Sequence, residues 1–242
     1  MRMHLLRRRG FTLVELLITI AIIAILTSFA IPRFLGARRS ANETSAIATM
    51  RAIVSAQMNL QASGSIDTNA DGQSEFGYLA EMAGLIPARI SSGGGPAAGV
   101  VGTNELAPSP LLPSLGAMNN GLASHSGYYF QLWLPGNGGS PVAGLAEDAG
   151  GGKLNAPFPD ADETETCFCA YAWPINAGGT GQRCFFVNQE GVILETANRS
   201  SAYSGATGGP EFDAAFSIDD DMSAHFARGV AGVDGNVWNA VQ

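Results

Sequence analysis

The stretch Phe11 to Ile31, FTLVELLITIAIIAILTSFAI, runs for 21 residues with Glu15 as its one charge. At about 1.5 Å per residue a helix of this length covers roughly 30 Å, the thickness of a membrane hydrocarbon core. The segment therefore reads as a membrane helix. An ionised carboxylate four residues into such a run costs at least about 2.5 kcal/mol without a partner, so Glu15 needs a counter-charge.

The preceding residues, MRMHLLRRRG, hold four arginines and no acid. Basic flanks stay on the cytoplasmic side, which sends everything after Ile31 outward. An ordinary signal peptide, cut at the small residues Ser28 and Ala30, is the alternative. It leaves Glu15 unexplained, and the periodic pattern continues past the cut.

The string Gly10-Phe11-Thr12-Leu13-Val14-Glu15, followed by an apolar run and Pro32, resembles the class III signal of type IV pilins and type II secretion pseudopilins. The resemblance is strong from Met1 to about Ala62 and loose beyond. It implies cleavage after Gly10 by a membrane peptidase, N-methylation of Phe11, and Glu15 as the fifth mature residue. It also implies local melting of the stalk helix at Pro32 during filament packing. Residues 40–46 and 51–57 are similar to a major-pilin-like subgroup with large Gly-rich heads. Independently of the family, a new amine at Phe11 placed against Glu15 of a neighbouring helix would neutralise both charges in an apolar bundle and fix its register. The alternative is a carboxylate that keeps its proton or reaches the nearby interface.

These features divide the chain into a leader, 1–10, a stalk helix, 11–62, with its membrane segment at 11–31, and an extracytoplasmic head, 63–242. With 31 glycines, 12 prolines, 14% charged and 46% hydrophobic residues, the head should be folded and rich in loops. The stalk carries Arg33, Arg38, Arg39 and Arg51 against Glu15 and Glu43, whereas the head holds five basic and nineteen acidic residues. An acidic head argues against nucleic acid as a partner.

Beyond the membrane the apolar residues Ile47, Met50, Ile53, Val54 and Met58 recur at helical spacing and need a sheet to cover them. Gly64 is a stop signal, and Pro32, which lacks the N–H to bond the Ser28 carbonyl, should kink or open the helix. Tyr128–Leu134, Cys167–Ile175, Arg183–Gln189 and Val192–Thr196 read as four antiparallel strands, the middle two forming a hairpin. The expected fold is α+β and pilin-like: a long helix packed on an antiparallel sheet of about four strands, with Gly-rich loops. Residues 91–127 read as irregular, and Asp234-Gly235 suggests a final tight turn.

Asp67, Asn69 and Asp71, with Gly72 sixth and Glu75 ninth, match the first half of a calcium loop. Tyr78 occupies the twelfth place, where a bidentate glutamate belongs, and an Asx-rich turn is the alternative. Calcium is the one cofactor suggested. Cys167, Cys169 and Cys184 fit either one disulfide or buried thiols, and a simple hairpin register sets Cys184 opposite Trp173, too far from the other two to bridge. Solitary histidines, the absence of hydrolase and metalloprotease motifs, and Asp219-Asp220-Asp221 as an exposed acidic turn give no enzyme.

Two hypotheses follow. The first is a structural subunit that is held in the inner membrane and then assembles with copies of itself into a pilus-like or type II secretion filament. Its other partners would be membrane lipid, a prepilin peptidase and an inner-membrane assembly platform. The second is a membrane-tethered extracytoplasmic binding domain whose anchor mimics a prepilin.

Overall fold

The computed structural model describes residues 11–136 and 139–241. Helix α1, Leu13–Ser63, dominates the order of elements and runs unbroken through Pro32. The expected opening at Pro32 is absent: one proline removes one N–H, while the flanking turns keep theirs. The helix ends where Gly64 takes φ +63° and its N–H reaches the Gln61 carbonyl at 3.3 Å, as a C-terminal glycine cap requires. The chain forms two compact units, Met1–Arg38 and Arg39–Gln242.

Within the second unit follow α2 (Leu79–Met82), β1 (Ile90–Ser92), β2 (Gly95–Ala97), α3 (Pro113–Gly116), β3 (Ala123–His125), β4 (Tyr128–Pro135) and β5 (Gly144–Ala146). After these come α4 (Ala161–Thr164), β6 (Cys169–Pro174), β7 (Cys184–Asn188), β8 (Leu194–Thr196) and β9 (Asn239–Ala240). Strands β1 and β2 make a separate small hairpin. The other seven form one antiparallel sheet in the order β3-β4-β6-β7-β8-β9, with β5 also pairing β4. The four expected strands are thus its centre, and β3, β5 and β9 are short additions. Residues 91–127, read as irregular, contain β2, α3 and β3 and most of β1.

One face of the sheet presents Phe130, Leu132, Leu134, Ala170, Ala172, Phe185 and Val187 to α1, where Ala46, Met50, Ile53, Ala56 and Leu60 are buried with them. The buried stripe is turned slightly from the expected one. Ile47 and Val54 lie at its border, and Met58 is exposed. Large apolar residues marked the expected stripe, but the buried one also includes the small side chains of Ala46 and Ala56.

Gln57, a polar residue outside the expected apolar stripe, is fully buried. Its amide donates to the Gly77 carbonyl at 2.8 Å and accepts from the Gly77 N–H at 3.0 Å. An added Cβ at Gly77 would stand 2.6 Å from Leu60 Cδ2, so the Leu60 side chain would have to move.

The opposite face carries Trp133, Cys169, Tyr171, Trp173, Cys184, Phe186 and Leu194, covered by Tyr203, Ala214, Ala215, Phe216, Met222 and Trp238 of the C-terminal tail. Rings meet edge-on across this second layer, Phe186 with Phe216 at 5.4 Å and Tyr171 with Trp238 at 5.9 Å. Cover on both sides explains why β6 and β7 are buried at every residue, although an antiparallel sheet more often leaves one face wet. The tail turns at Asp234-Gly235, with Gly235 at φ +76°, and returns to lay β9 against β8.

Replacing Gln57 by Leu would strand the Gly77 N–H and C=O, each at a cost of about 1–3 kcal/mol. In a chain beginning at Arg39, circular dichroism should show the melting temperature lowered by at least about 5 °C, given roughly 2–4 °C per kcal/mol at this size. An unchanged melting temperature would mean that water already satisfies Gly77.

Candidate assembly site

The N-terminal half of α1 is bare. Every residue from Phe11 to Phe34 is exposed, including Leu13, Leu16, Leu17, Ile20, Ile23 and Leu26. By length and composition it is a helix able to cross a membrane, with a mean hydropathy of 2.5 over its 18-residue window. Gly10, the expected cleavage position, lies outside the described residues.

At the start of the helix, Glu15 has a local task that the sequence reading overlooked. Its carboxylate accepts from the Thr12 N–H at 2.9 Å and from the Thr12 hydroxyl at 2.8 Å, while its own N–H donates to Thr12 Oγ1 at 3.2 Å. This is a reciprocal capping box, legible in the spacing Thr12-x-x-Glu15. It satisfies orphan donors and sets negative charge at the positive end of the helix dipole. Glu15 is thereby held beside the chain start that cleavage after Gly10 would expose.

A polar tie joins the head-covered part of α1 to the β6–β7 connection. Glu43 accepts from the Gln182 N–H at 2.9 Å, the Arg183 N–H at 3.2 Å and Arg183 Nε at 2.8 Å. Arg183 also pairs with Glu195, and Asn42 donates to the Thr180 carbonyl at 2.7 Å. Burial alone would raise the Glu43 carboxyl, but the two backbone donors and the guanidinium outweigh it and hold it below its ordinary value.

The calcium-loop residues are divided. Asp67 accepts from the N–H groups of Ala70 and Gly72, Asn69 from that of Asp71, and Asp71 from that of Gln73, which makes a succession of Asx turns. Glu75 is turned into the core, where it meets Thr68 and bonds Arg89 Nη1 at 3.0 Å. It does not join the other three. Asp71 instead converges with Asp162 and Glu165, one oxygen from each lying within 4.8 Å of the others, and Asn69 donates to Asp162 at 2.8 Å. Neither partner was recognisable from sequence, being more than ninety residues away.

Glu75 belongs to a buried charge cluster. Arg89 binds Glu81 as well as Glu75, donates to the Phe76 carbonyl and lies over the Tyr78 ring. Nearby, Glu147 accepts from the N–H groups of Leu79, Ala80 and Gly152 and thus pins the 147–152 loop to α2. Burial pushes its carboxyl up to about 7 despite these donors, with Glu81 adding to the rise.

Cys167, Cys169 and Cys184 are buried free thiols, each raised by burial above its ordinary value. The disulfide alternative is not realised. Because Ala172 pairs with Phe185, the same register sets Cys184 opposite Trp173, four residues along the strand from Cys169. Asp219 and Asp220 are exposed and group with buried Asp213.

Residues 33–213 match the family described as "Protein of unknown function (DUF2950)", and residues 5–31 match the "Prokaryotic N-terminal methylation motif". The chain belongs to the DUF2950 family and carries a prokaryotic N-terminal methylation motif. It is 34% identical over 89 residues to the type IV major pilin protein PilA of Myxococcus xanthus, covering 37% of this chain and 40% of that one. It is 42% identical over 84 residues to the type IV wide pilus major component PilA4 of Thermus thermophilus, covering 35% of this chain and 56% of that one. A third relative, the narrow pilus major component PilA5 of the same organism, is 47% identical over 51 residues, 21% of this chain and 44% of its own. The matches therefore span about half the length of these relatives. No solved structure matches the chain.

The Glu147 carboxyl sets a pH dependence with a definite sign. Its folded value of about 7 stands above the ordinary 4.5, so across that window the folded protein keeps a proton that the unfolded chain has released. Its contribution to stability falls as pH rises from about 4.5 to 7, by up to about 3 kcal/mol, and is flat above. Thermal melts of wild type and Glu147→Gln should diverge across this window, with the wild type losing ground as pH rises. A difference that is constant from pH 4 to 8 would show that folding leaves the Glu147 carboxyl at its ordinary value.

Proposed function

We propose that this protein is a structural, non-enzymatic subunit of a type IV pilus-like filament. It is stored as a single-pass inner-membrane precursor with its head outside the cytoplasm. A prepilin peptidase cuts after Gly10, Phe11 is N-methylated, and an inner-membrane platform adds the subunit to the filament through its apolar helix. The observation that carries this reading is that α1 is apolar and exposed from Leu13 to Phe34, whereas from Glu43 to Leu60 it has a buried stripe. Residues 11–34 are exposed throughout, so lipid and then copies of the chain would cover them. The names of the relatives favour a pilus over a secretion pseudopilus.

The Phe11 amine of one copy would pair with Glu15 of a neighbour, and the capping box makes this testable. Gln at position 15 preserves the reciprocal cap but leaves the amine without a counter-charge, at a cost of about 3–5 kcal/mol for breaking a buried pair from one side. Mass spectrometry of the wild type should find a chain starting at N-methyl-Phe11. Glu15→Gln should be inserted and cleaved yet form few or no filaments. An intact Met1 start would sink the prepilin reading, and filaments of normal number from Glu15→Gln would remove the register role while leaving the cap.

For the loop after α1, calcium remains a proposal with an altered ligand set, Asp71 with Asp162 and Glu165. Their convergence supports it, and a melting temperature unaffected by chelator or millimolar calcium would remove it.

A further inference from the structure

Just beyond the apolar span, α1 carries Arg33 and Arg38, both exposed, with the exposed ring of Phe34 beside them. No acid occurs between residues 16 and 42, so neither arginine has a carboxylate at the three- or four-residue spacing that pairs charges along a helix. None of the ion pairs among the described residues includes them. At about 100° per residue they point roughly 140° apart, towards nearly opposite sides of the helix, and are separated by only about 8 Å along its axis.

That arrangement says what kind of ligand they fit. A single protein neighbour would be met by cations gathered on one stripe. Two guanidiniums on opposed sides, within about 8 Å of one another along the axis, suit a ligand that surrounds the helix. With residues 11–31 filling a hydrocarbon layer of about 30 Å, Arg33 lies about 3 Å past its outer boundary and Arg38 about 10 Å past it. Headgroups occupy roughly the next 5–8 Å, and long arginine stems reach back into them. Guanidinium binds phosphate with paired donors.

We propose that Arg33 and Arg38 form a collar that binds the phosphates of anionic phospholipids in the outer leaflet around the stored subunit and fixes the depth of its helix. The collar rests on the membrane-precursor reading above and adds the lipid class and the residues to it. Before cleavage, Arg2, Arg7, Arg8 and Arg9 hold the inner end of the span. Once the leader is gone, the inner end keeps only the Phe11 amine as a cation, and the collar supplies the larger part of the electrostatic hold on a helix waiting to leave the bilayer.

The test uses the full chain with Ala37→Cys, an exposed position, labelled with a fluorescent donor; the native cysteines are buried and should not compete. The protein is reconstituted in phosphatidylcholine vesicles containing a small amount of phosphatidylglycerol. Energy transfer is measured to acceptor-labelled phosphatidylglycerol and, separately, to acceptor-labelled phosphatidylcholine. The collar requires the anionic lipid to be enriched near the label by about five-fold per arginine at low salt, with loss of that enrichment in molar salt and in Arg33→Gln/Arg38→Gln.

Insertion with equal transfer to both lipids would overturn the collar alone and assign the arginines to carboxylates of a neighbouring copy. Enrichment that survives in the double variant would also overturn it. A chain that fails to insert even in pure phosphatidylcholine would overturn the membrane reading and the collar together.

Discussion

One helix has to satisfy two different surroundings. From Glu43 to Leu60 its buried stripe is closed by a sheet that the same chain supplies, and Gln57 completes that closure by answering both backbone groups of Gly77. From Leu13 to Phe34 nothing described in the chain plays that part. The head can therefore fold around the covered portion, while the bare portion stays available to lipid or to other copies. Because association of bare helices draws on apolar area alone, it gives little register by itself. Glu15, already anchored by Thr12, is the group placed to supply it.

The head is built to hold the covered stretch firmly. The sheet is sealed on its far side by a Gly-rich tail with aromatic inserts, so its central strands have no wet face. The Glu43–Arg183–Glu195 tie and the Asn42–Thr180 bond fasten the helix to the β6–β7 connection just where it enters the head. The cluster of Arg89 with Glu75 and Glu81, and Glu147 beyond it, secures the connection that follows the helix. These groups are costly to bury singly and stable only as a set. They hold the loops of a chain whose composition would otherwise favour irregular structure.

Much of this was legible in the sequence, for identifiable reasons. The apolar run, the glycine stop at Gly64 and the aromatic strands β4, β6 and β7 are signalled by composition within one short stretch, and the hairpin register that opposes Cys184 to Trp173 followed from the connecting loop. What escaped depends on partners far apart. Strands β3, β5 and β9 are too short to show a period, and Gln57 looks like a surface residue until Gly77 is brought to it. Glu75 sits at a calcium-loop position, yet Arg89 claims it, and a buried guanidinium is a stronger attractor for a carboxylate than a half-formed ion site. The Thr12-x-x-Glu15 cap is the exception. It is readable from spacing alone.

Residues 13–34, bare in the single chain, should become the shared interior of an assembly. A cryo-electron microscopy map of surface filaments sheared from cells that make this protein tests it most directly. The account requires density for this chain, with the apolar half of α1 packed at the filament centre and the head outside. Filaments that lack the chain, or that contain it with that half exposed on the surface, would contradict it.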